Sequence, residues 1–383
     1  MPKSFKRNKK LIYIILVLIV VLALGKVFLI GIKYSPVLFQ LVFNKNVELK
    51  KSNDNINVLL LGIGGGKHEG PNLSDTVIFA SISESKNKVT LISIPRDLWV
   101  PDINARVNVA YAQGEEKRQG GGLVLAEAVV SKVVGQPIDY GIRVDFAGFV
   151  KAVDMVGGLD INVENTLDDY VYPVDGKEND SCGKSDKDIQ VFTDTIATAS
   201  ATTLPAEQDL ALFFPCRYKH VHFDKGQIHI NGEQALEFVR SRHATGDEGT
   251  DFARSARQQK VIKSFKDNVL SFGTLLNPGK VLGLYDILQS SIDTDIKQTE
   301  FDDFIRLSQK MRTANISNAV LDYGDPQKSR PGILINPTPS KDYNFAWILI
   351  PRIGNGDFSE IKKYVDCEIK IGNCKITPTS ISQ

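Results

Sequence analysis

The sequence predicts an α/β layered protein that follows a single N-terminal membrane span. Three observations lead there. An apolar run follows a basic cluster at the N-terminus, a buried-strand run opens into a strand hairpin, and helix-like patterns alternate with further strands. Charged residues make up 24% of the chain and hydrophobic ones 42%, ordinary values for a globular protein of 383 residues. The formal charge of +1 argues against a nucleic-acid partner, because such domains carry a marked basic surplus.

Lys3, Lys6, Arg7, Lys9 and Lys10 precede the apolar run Leu11 to Ile32, which only Lys26 interrupts. Those 22 residues would span about 33 Å as a helix, against roughly 30 Å of bilayer hydrocarbon. The positive-inside rule puts residues 1–10 in the cytoplasm and the remainder outside, with Lys26 snorkelling toward the outer interface. The competing reading is a cleaved signal peptide; no small-x-small cleavage site follows the run, which favours a retained anchor at the cell membrane. Residues 33–55 then read as a juxtamembrane spacer.

Asn57 to Gly62 is a continuous apolar run, the pattern of a strand buried on both faces, and a Gly-rich loop from Ile63 to Leu73 follows. That loop fits neither a Walker motif, since Leu61 and His68 occupy its ends, nor a dinucleotide fingerprint, since Lys67 stands where the last glycine belongs. Strand patterns at Thr76–Ser81 and Val89–Ile94, joined by polar residues 83–87, predict an antiparallel hairpin. Around its turn, position 75 falls opposite position 96, so Asp75 and the pair Arg96-Asp97 gather at one sheet end. Two carboxylates there suit Mg²⁺, which takes one or two of them and fills its shell with water and phosphate oxygens. The alternative is a turn-capping Asp75 and a surface Arg96–Asp97 pair.

Helix patterns recur at Gly122–Val134, Phe146–Val156, Gly232–Val239, Thr250–Leu270, Pro278–Ser290 and Phe301–Arg312. A strand at Leu159–Val163 follows the Gly157-Gly158 stop. Residues 175–215 are polar with weak periodicity and read as a surface insertion. The helix ending at Val239 delivers Arg240 and Arg242; beyond a Gly- and Asp-bearing loop come Asp251, Arg254, Arg257 and Gln258, at spacings that share a helix face. Arginine stays charged and presents a planar fork of donors, so this segment predicts a clamp for a phosphate or pyrophosphate. The five histidines are scattered, and a metal role for His220-x-His222 is the lesser reading.

Four cysteines fit an extracytoplasmic domain. Cys182 and Cys216 bracket the insertion, and Cys367 and Cys374 flank a Gly-Asn turn, so the expected pairs are 182–216 and 367–374, the second stapling a short hairpin. Residues 321–383 are expected to be a strand-rich extension, with a strand at Ala346–Pro351.

Taken in order, the strand ending Leu-Leu-Leu-Gly62, Ser74-Asp75-Thr76, Ile94-Pro95-Arg96-Asp97, Asn108 to Ala112, Val156 to Leu159, Asn231 to Leu236, Arg240-Ser241-Arg242 and Asp251 to Gln259 resemble the LytR-CpsA-Psr family over residues 56–320. The resemblance implies an α-β-α sandwich with a mixed central sheet, at the cell surface. It implies an enzyme that moves a glycan or teichoic-acid-like polymer from a polyprenyl-pyrophosphate carrier to peptidoglycan, forming a phosphodiester. By motif, Asp75 and Asp97 would hold Mg²⁺, with Mn²⁺ as a substitute, and Arg96, Arg240, Arg242, Arg254 and Gln258 would grip the pyrophosphate, helped by Arg257. The polyprenyl chain would lie in an apolar groove between sheet and helices. No residue identifies itself as the general base; Asp251 is one candidate, and the metal site alone is the alternative. The family often carries Arg two residues before the first motif's Asp; Leu73 stands there instead, so one phosphate contact is either missing or supplied by Lys67 or His68. The rival readings are a pyrophosphatase acting on the same carrier and a non-catalytic, lipid-headgroup-binding envelope regulator, the reading to which the family's older label of transcriptional attenuator belongs. An external domain cannot reach DNA, and the near-zero charge disfavours DNA as well.

Overall fold

The computed structural model describes residues 48–66, 70–199, 207–269, 271–275, 277–325, 330–378 and 381–382. The expected cytoplasmic tail, the apolar run 11–32 and Lys67 lie outside these. Among the described residues no helix is long and apolar enough to cross a membrane.

The main unit spans Lys50–Ile296 and Met311–Gln383. Its strands of three or more residues are β1 (Ile56–Ile63), β2 (Ser74–Ser83), β3 (Lys88–Ser93), β4 (Tyr140–Asp145), β5 (Leu159–Val163), β6 (Leu167–Pro173), β7 (Tyr218–Phe223), β8 (Gly226–Ile230), β9 (Ile292–Thr294) and β10 (Asn315–Val320). The longer helices are α1 (Ala110–Lys117), α2 (Gly122–Val134), α3 (Phe146–Val156), α4 (Asp186–Ala199), α5 (Glu207–Phe213), α6 (Gly232–Arg240), α7 (Asp251–Val269) and α8 (Pro278–Ser291); after α9, described below, comes α10 (Ser359–Lys370).

Six strands form one sheet in the order β9-β4-β1-β2-β3-β10. β1 pairs antiparallel with β2 and parallel with β4, and β10 runs parallel to β3, so the sheet is mixed as expected. Both faces are covered, which is why β1 reads as an unbroken apolar run. Leu59, Leu61, Val77, Phe79 and Ile92 pack on one side with Leu123, Val130 and Val133 of α2 and Ile361 and Val365 of α10. On the other side Val153 and Val156 of α3, Ala235 and Phe238 of α6 and Val261 of α7 make a second core with β5 to β8.

The helix limits follow local signals. Asp145 caps α3, accepting from the Gly148 N–H at 2.7 Å, and Gly157 ends it at φ 98°, a conformation that favours glycine. A capping box starts α6: Asn231 Oδ1 accepts from Gln234 N at 2.9 Å and Gln234 Oε1 from Asn231 N at 3.1 Å.

The insertion carries α4, whose described side chains are mostly exposed, and α5, between β6 and β7. Two expectations need correction. The predicted disulfides Cys182–Cys216 and Cys367–Cys374 both form, yet the second closes the end of α10 and no hairpin. Ile361, Tyr364, Val365 and Ile369 recur at helical spacing and bury one face, which outweighs the Gly-Asn turn signal. Among the described residues the C-terminal region therefore contains a helix and strands of two residues each, including Ile350–Pro351 where a longer strand was expected.

A separate unit comprises residues 1–49 and Lys297–Lys310. Its described part holds α9 (Phe301–Lys310), in which buried Arg306 pairs with Asp302 at 2.8 Å and Asp303 at 3.1 Å.

Candidate functional site

The β2–β3 register pairs Ile78 with Ser93; continued three residues, it sets position 75 against 96. Asp75, the second residue of β2, is there ion-paired with the Arg96 guanidinium. The chain turns directly after β3, Leu98 N–H donating to Pro95 O at 3.0 Å. That turn sends Asp97 back into the protein. Its carboxylate is 6% exposed, 2.9 Å from Arg106 and 3.5 Å from the Arg96 Nε. Arg96 thus stands between the two aspartates, and only Asp75 of the pair faces open space.

That space is a cavity of about 960 Å³. Its walls are Leu60, Ile78, Ile142 and Val144 from the sheet and Phe149, Ala152, Leu236, Val261, Ile262 and Phe265 from α3, α6 and α7. Asp75, Arg96, Arg240, Arg242, Arg254 and Gln258 also line it. A crevice of about 20 Å³, room for one water-sized occupant, adjoins Asp75, Arg96, Arg254 and Gln258. Leu73 lies on the cavity wall, where the family's extra arginine was expected.

The arginines reach this place by different routes. Arg240 is the last residue of α6, where its charge also opposes the negative end of the helix dipole. Asp175 holds its fork through two bonds of 3.0 Å, and Phe146 lies 4.3 Å beneath it. Burial works against the Arg240 charge, but the Asp175 hydrogen bonds, with Tyr172 and Asp75 nearby, outweigh it and hold its pKa above the ordinary value. Arg242 follows Ser241, and this turn is pinned by Asp169. That fully buried carboxylate accepts from Ser241 Oγ at 2.7 Å, Arg242 N at 3.2 Å and His243 N at 3.3 Å. Arg254 and Gln258 lie one turn apart on α7 and share the cavity face, and Gln258 Nε2 donates to Thr76 Oγ1 at 3.0 Å.

Arg257 departs from its expected role. Roughly 100° around α7 from Gln258, it leaves the cavity face. It is 3% exposed and donates to Phe238 O at 2.8 Å, Ser241 O at 2.6 Å, Glu248 O at 2.8 Å and Glu248 Oε2 at 2.9 Å. It ties the α6–α7 connection together and does not line the cavity. Asp251 begins α7, but its side chain lies outside the described positions. Asp169, Tyr172 and Asp175 were not singled out from the sequence. Each sits in the weakly patterned stretch before or within the insertion, and their partners lie some 65 to 74 positions downstream. The one available signal was Asp169 itself, an acid between apolar inward positions of β6.

The cavity is thus apolar along its walls and carries guanidinium groups at its rim, surroundings that suit an amphiphile with an anionic head. Residues 37–329 match the sequence model of the LytR_cpsA_psr family, and the chain belongs to that family. It is 29% identical over 264 residues to the polyisoprenyl-teichoic acid–peptidoglycan teichoic acid transferase TagU of Bacillus cereus, the match covering 68% of this chain and 66% of that protein. The TagU of Oceanobacillus iheyensis is 29% identical over 254 residues, covering 65% of this chain and 61% of that protein. The chain thus spans about two thirds of the length of these curated relatives. Among solved structures, the Lin1025 protein of Listeria innocua superposes with a TM-score of 0.51 at 21% identity, covering 84% of this chain and 100% of that one. A Streptococcus agalactiae protein gives 0.51 at 20% identity, covering 82% and 88%. These two share the fold.

Mg²⁺ is expected for this family, and one carboxylate with water and substrate phosphates is enough to bind it. Asp75, on the cavity wall beside the small crevice, fits that need. Asp97 does not reach the cavity and bears on the site only through Arg96.

Proposed function

We infer that this chain is a transferase that moves a teichoic-acid-like glycopolymer from a polyprenyl-pyrophosphate carrier to peptidoglycan, the reaction for which its TagU relatives are named. The observation that carries this reading is the cavity: about 960 Å³, at the upper end of small-ligand pockets, apolar along its length and cationic where Asp75 sits. A free sugar phosphate would leave most of that hydrocarbon wall uncovered. A lipid pyrophosphate fills both parts. The apolar run 11–32 would hold the domain beside the membrane where such carriers reside.

In this reading the prenyl chain lies between the sheet and helices α3, α6 and α7, and Arg96, Arg240, Arg242 and Arg254 face the pyrophosphate oxygens with Gln258 beside them. A peptidoglycan hydroxyl attacks the phosphorus next to the sugar. It loses its proton, the bond from that phosphorus to the bridging oxygen breaks, and polyprenyl phosphate departs while the phosphodiester forms. Fixed guanidinium groups in a water-poor chamber stabilise the charge that grows on the departing phosphate. Mg²⁺ or Mn²⁺ held by Asp75 would supply further positive charge against the pyrophosphate when bound.

The test incubates the purified chain with lipid-pyrophosphoryl sugar, peptidoglycan fragments and Mg²⁺ or a chelator, and follows products by mass spectrometry. A phosphodiester-linked product that disappears with the chelator is the expected result. Released sugar phosphate would establish the pyrophosphatase instead, and intact donor the non-catalytic binder.

A further inference from the structure

The geometry points to a second metal site, for Zn²⁺ or a similar borderline divalent ion, formed by Asp168, His220 and His222 on the outer face of the β6–β7 hairpin. It goes beyond the transferase reading and does not depend on it. None of the three residues lines the cavity.

The register pairs Asp168 with His222 across the two strands, and His220 sits two residues earlier on β7. Strand alternation therefore puts both imidazoles on one face, while Val221 and Phe223 turn inward. His220 Nε2 lies 2.9 Å and His222 Nδ1 2.7 Å from the same oxygen, Asp168 Oδ1, and all three donor atoms lie within 4.8 Å of one another. Donors around a tetrahedral zinc at about 2.0–2.2 Å stand roughly 3.3–3.6 Å apart, so small side-chain rotations admit the ion. Two imidazoles and one carboxylate, with a fourth position for water, is a zinc donor set.

Two further contacts orient the rings. His220 stacks on Tyr170, centroids 4.1 Å apart and planes 2° from parallel. His222 Nε2 lies 3.2 Å from Asp224 Oδ1, the carboxylate–histidine arrangement that commonly backs a metal-bound imidazole.

The site also has a structural consequence. Asp168 O accepts from Thr245 N at 2.8 Å, and the next residue is the Asp169 that pins Ser241, Arg242 and His243. A metal here would brace the hairpin that both carries the disulfide-closed insertion and holds the Arg240–Arg242 turn.

Calorimetric titration of the metal-free chain with Zn²⁺ tests this. The expected result is one tightly bound ion per wild-type chain, lost in His220→Ala and His222→Ala, and weakened about 10–100-fold in Asp224→Asn. Thermal unfolding without zinc should be alike in all four proteins, and zinc should raise the midpoint only where the triad is intact. X-ray absorption at the zinc edge on the wild-type chain provides a readout independent of substitution and should report two imidazole ligands. Absence of stoichiometric binding, binding unchanged in His222→Ala, or an edge spectrum without imidazole would overturn the assignment.

Discussion

Arg254 and Arg257 lie three positions apart on α7 and do different work. Arg254 lines the cavity, whereas Arg257 is sealed among the carbonyls of Phe238, Ser241 and Glu248. Removing one partner of a buried charged network leaves the others unsatisfied, so Arg257→Ala should lower folding stability by about 3–5 kcal/mol, measured as a shift in the urea midpoint. Asp75→Asn should behave oppositely. It preserves shape and leaves Arg96 a neutral hydrogen-bond acceptor in place of its ion-pair partner, so stability should fall far less than in Arg257→Ala while turnover in the transfer assay falls by about 10²–10³-fold, the scale of losing one electrostatic contact to a transition state. An Asp75→Asn protein with full turnover would remove this carboxylate from the chemistry. The helix-face spacing made Arg254 and Gln258 legible in the sequence. The same spacing grouped Arg257 with them, because residues three and four apart diverge by enough to separate a wall of the cavity from the protein interior. Asp169 and Asp175 stayed hidden because their value lies wholly in partners far along the chain.

At the scale of elements, the interface between α2 and β4 contains a pH-sensitive contact. Glu127 of α2 faces Gly141 of β4, and its Oε1 is buried without a hydrogen-bond partner. Burial, then Asp295 and Asp293, push its pKa up from 4.5 to about 7, against a smaller opposing pull from Lys50. A carboxyl whose pKa rises on folding keeps its proton in the folded state over that interval while the unfolded chain has lost it. Its favourable contribution is therefore complete below pH 4.5 and is lost as pH rises through about 7. Glu127→Gln should consequently match the wild type near pH 4.5 and be the more stable protein at pH 8, a difference visible in denaturant midpoints across that range. A midpoint gap independent of pH would assign the effect to packing. The β1–β2–β3 hairpin and helices α2 and α3 were readable beforehand because their period-2 and period-3.6 patterns are clean. The end of α10 was misread, since a Gly-Asn pair between two cysteines suits a hairpin turn and a helix stop equally. The buried stripe Ile361, Tyr364, Val365 and Ile369 is what separates them.

At the scale of the molecule, the sheet has two unlike faces. One is filled by α2 and α10, and over the other α3, α6 and α7 arch above a chamber that side chains leave open. Apolar walls left open to water lack the dispersion contacts and burial that a hydrocarbon occupant would supply. Where Leu60, Ile142, Ala152 and Phe265 line the chamber, a hydrocarbon occupant is therefore expected to stabilise the fold. Ala152 is a half-buried α3 residue on this wall, so Ala152→Trp adds bulk to the chamber without deleting any core contact. With a long polyprenyl-pyrophosphate donor the variant should lose at least about tenfold in kcat/KM, about 1.4 kcal/mol of lost transition-state binding. With a donor shortened to a few prenyl units the loss should nearly vanish, because the arginine rim that meets the pyrophosphate is untouched. Thermal unfolding adds a second measure. The long-chain carrier should raise the wild-type midpoint and raise that of Ala152→Trp much less, by the ordinary linkage of binding to stability. Equal losses on long and short donors would mean that the tryptophan disturbs the rim. No loss on either would place the lipid outside the chamber and leave this apolar space without the ligand that best explains it.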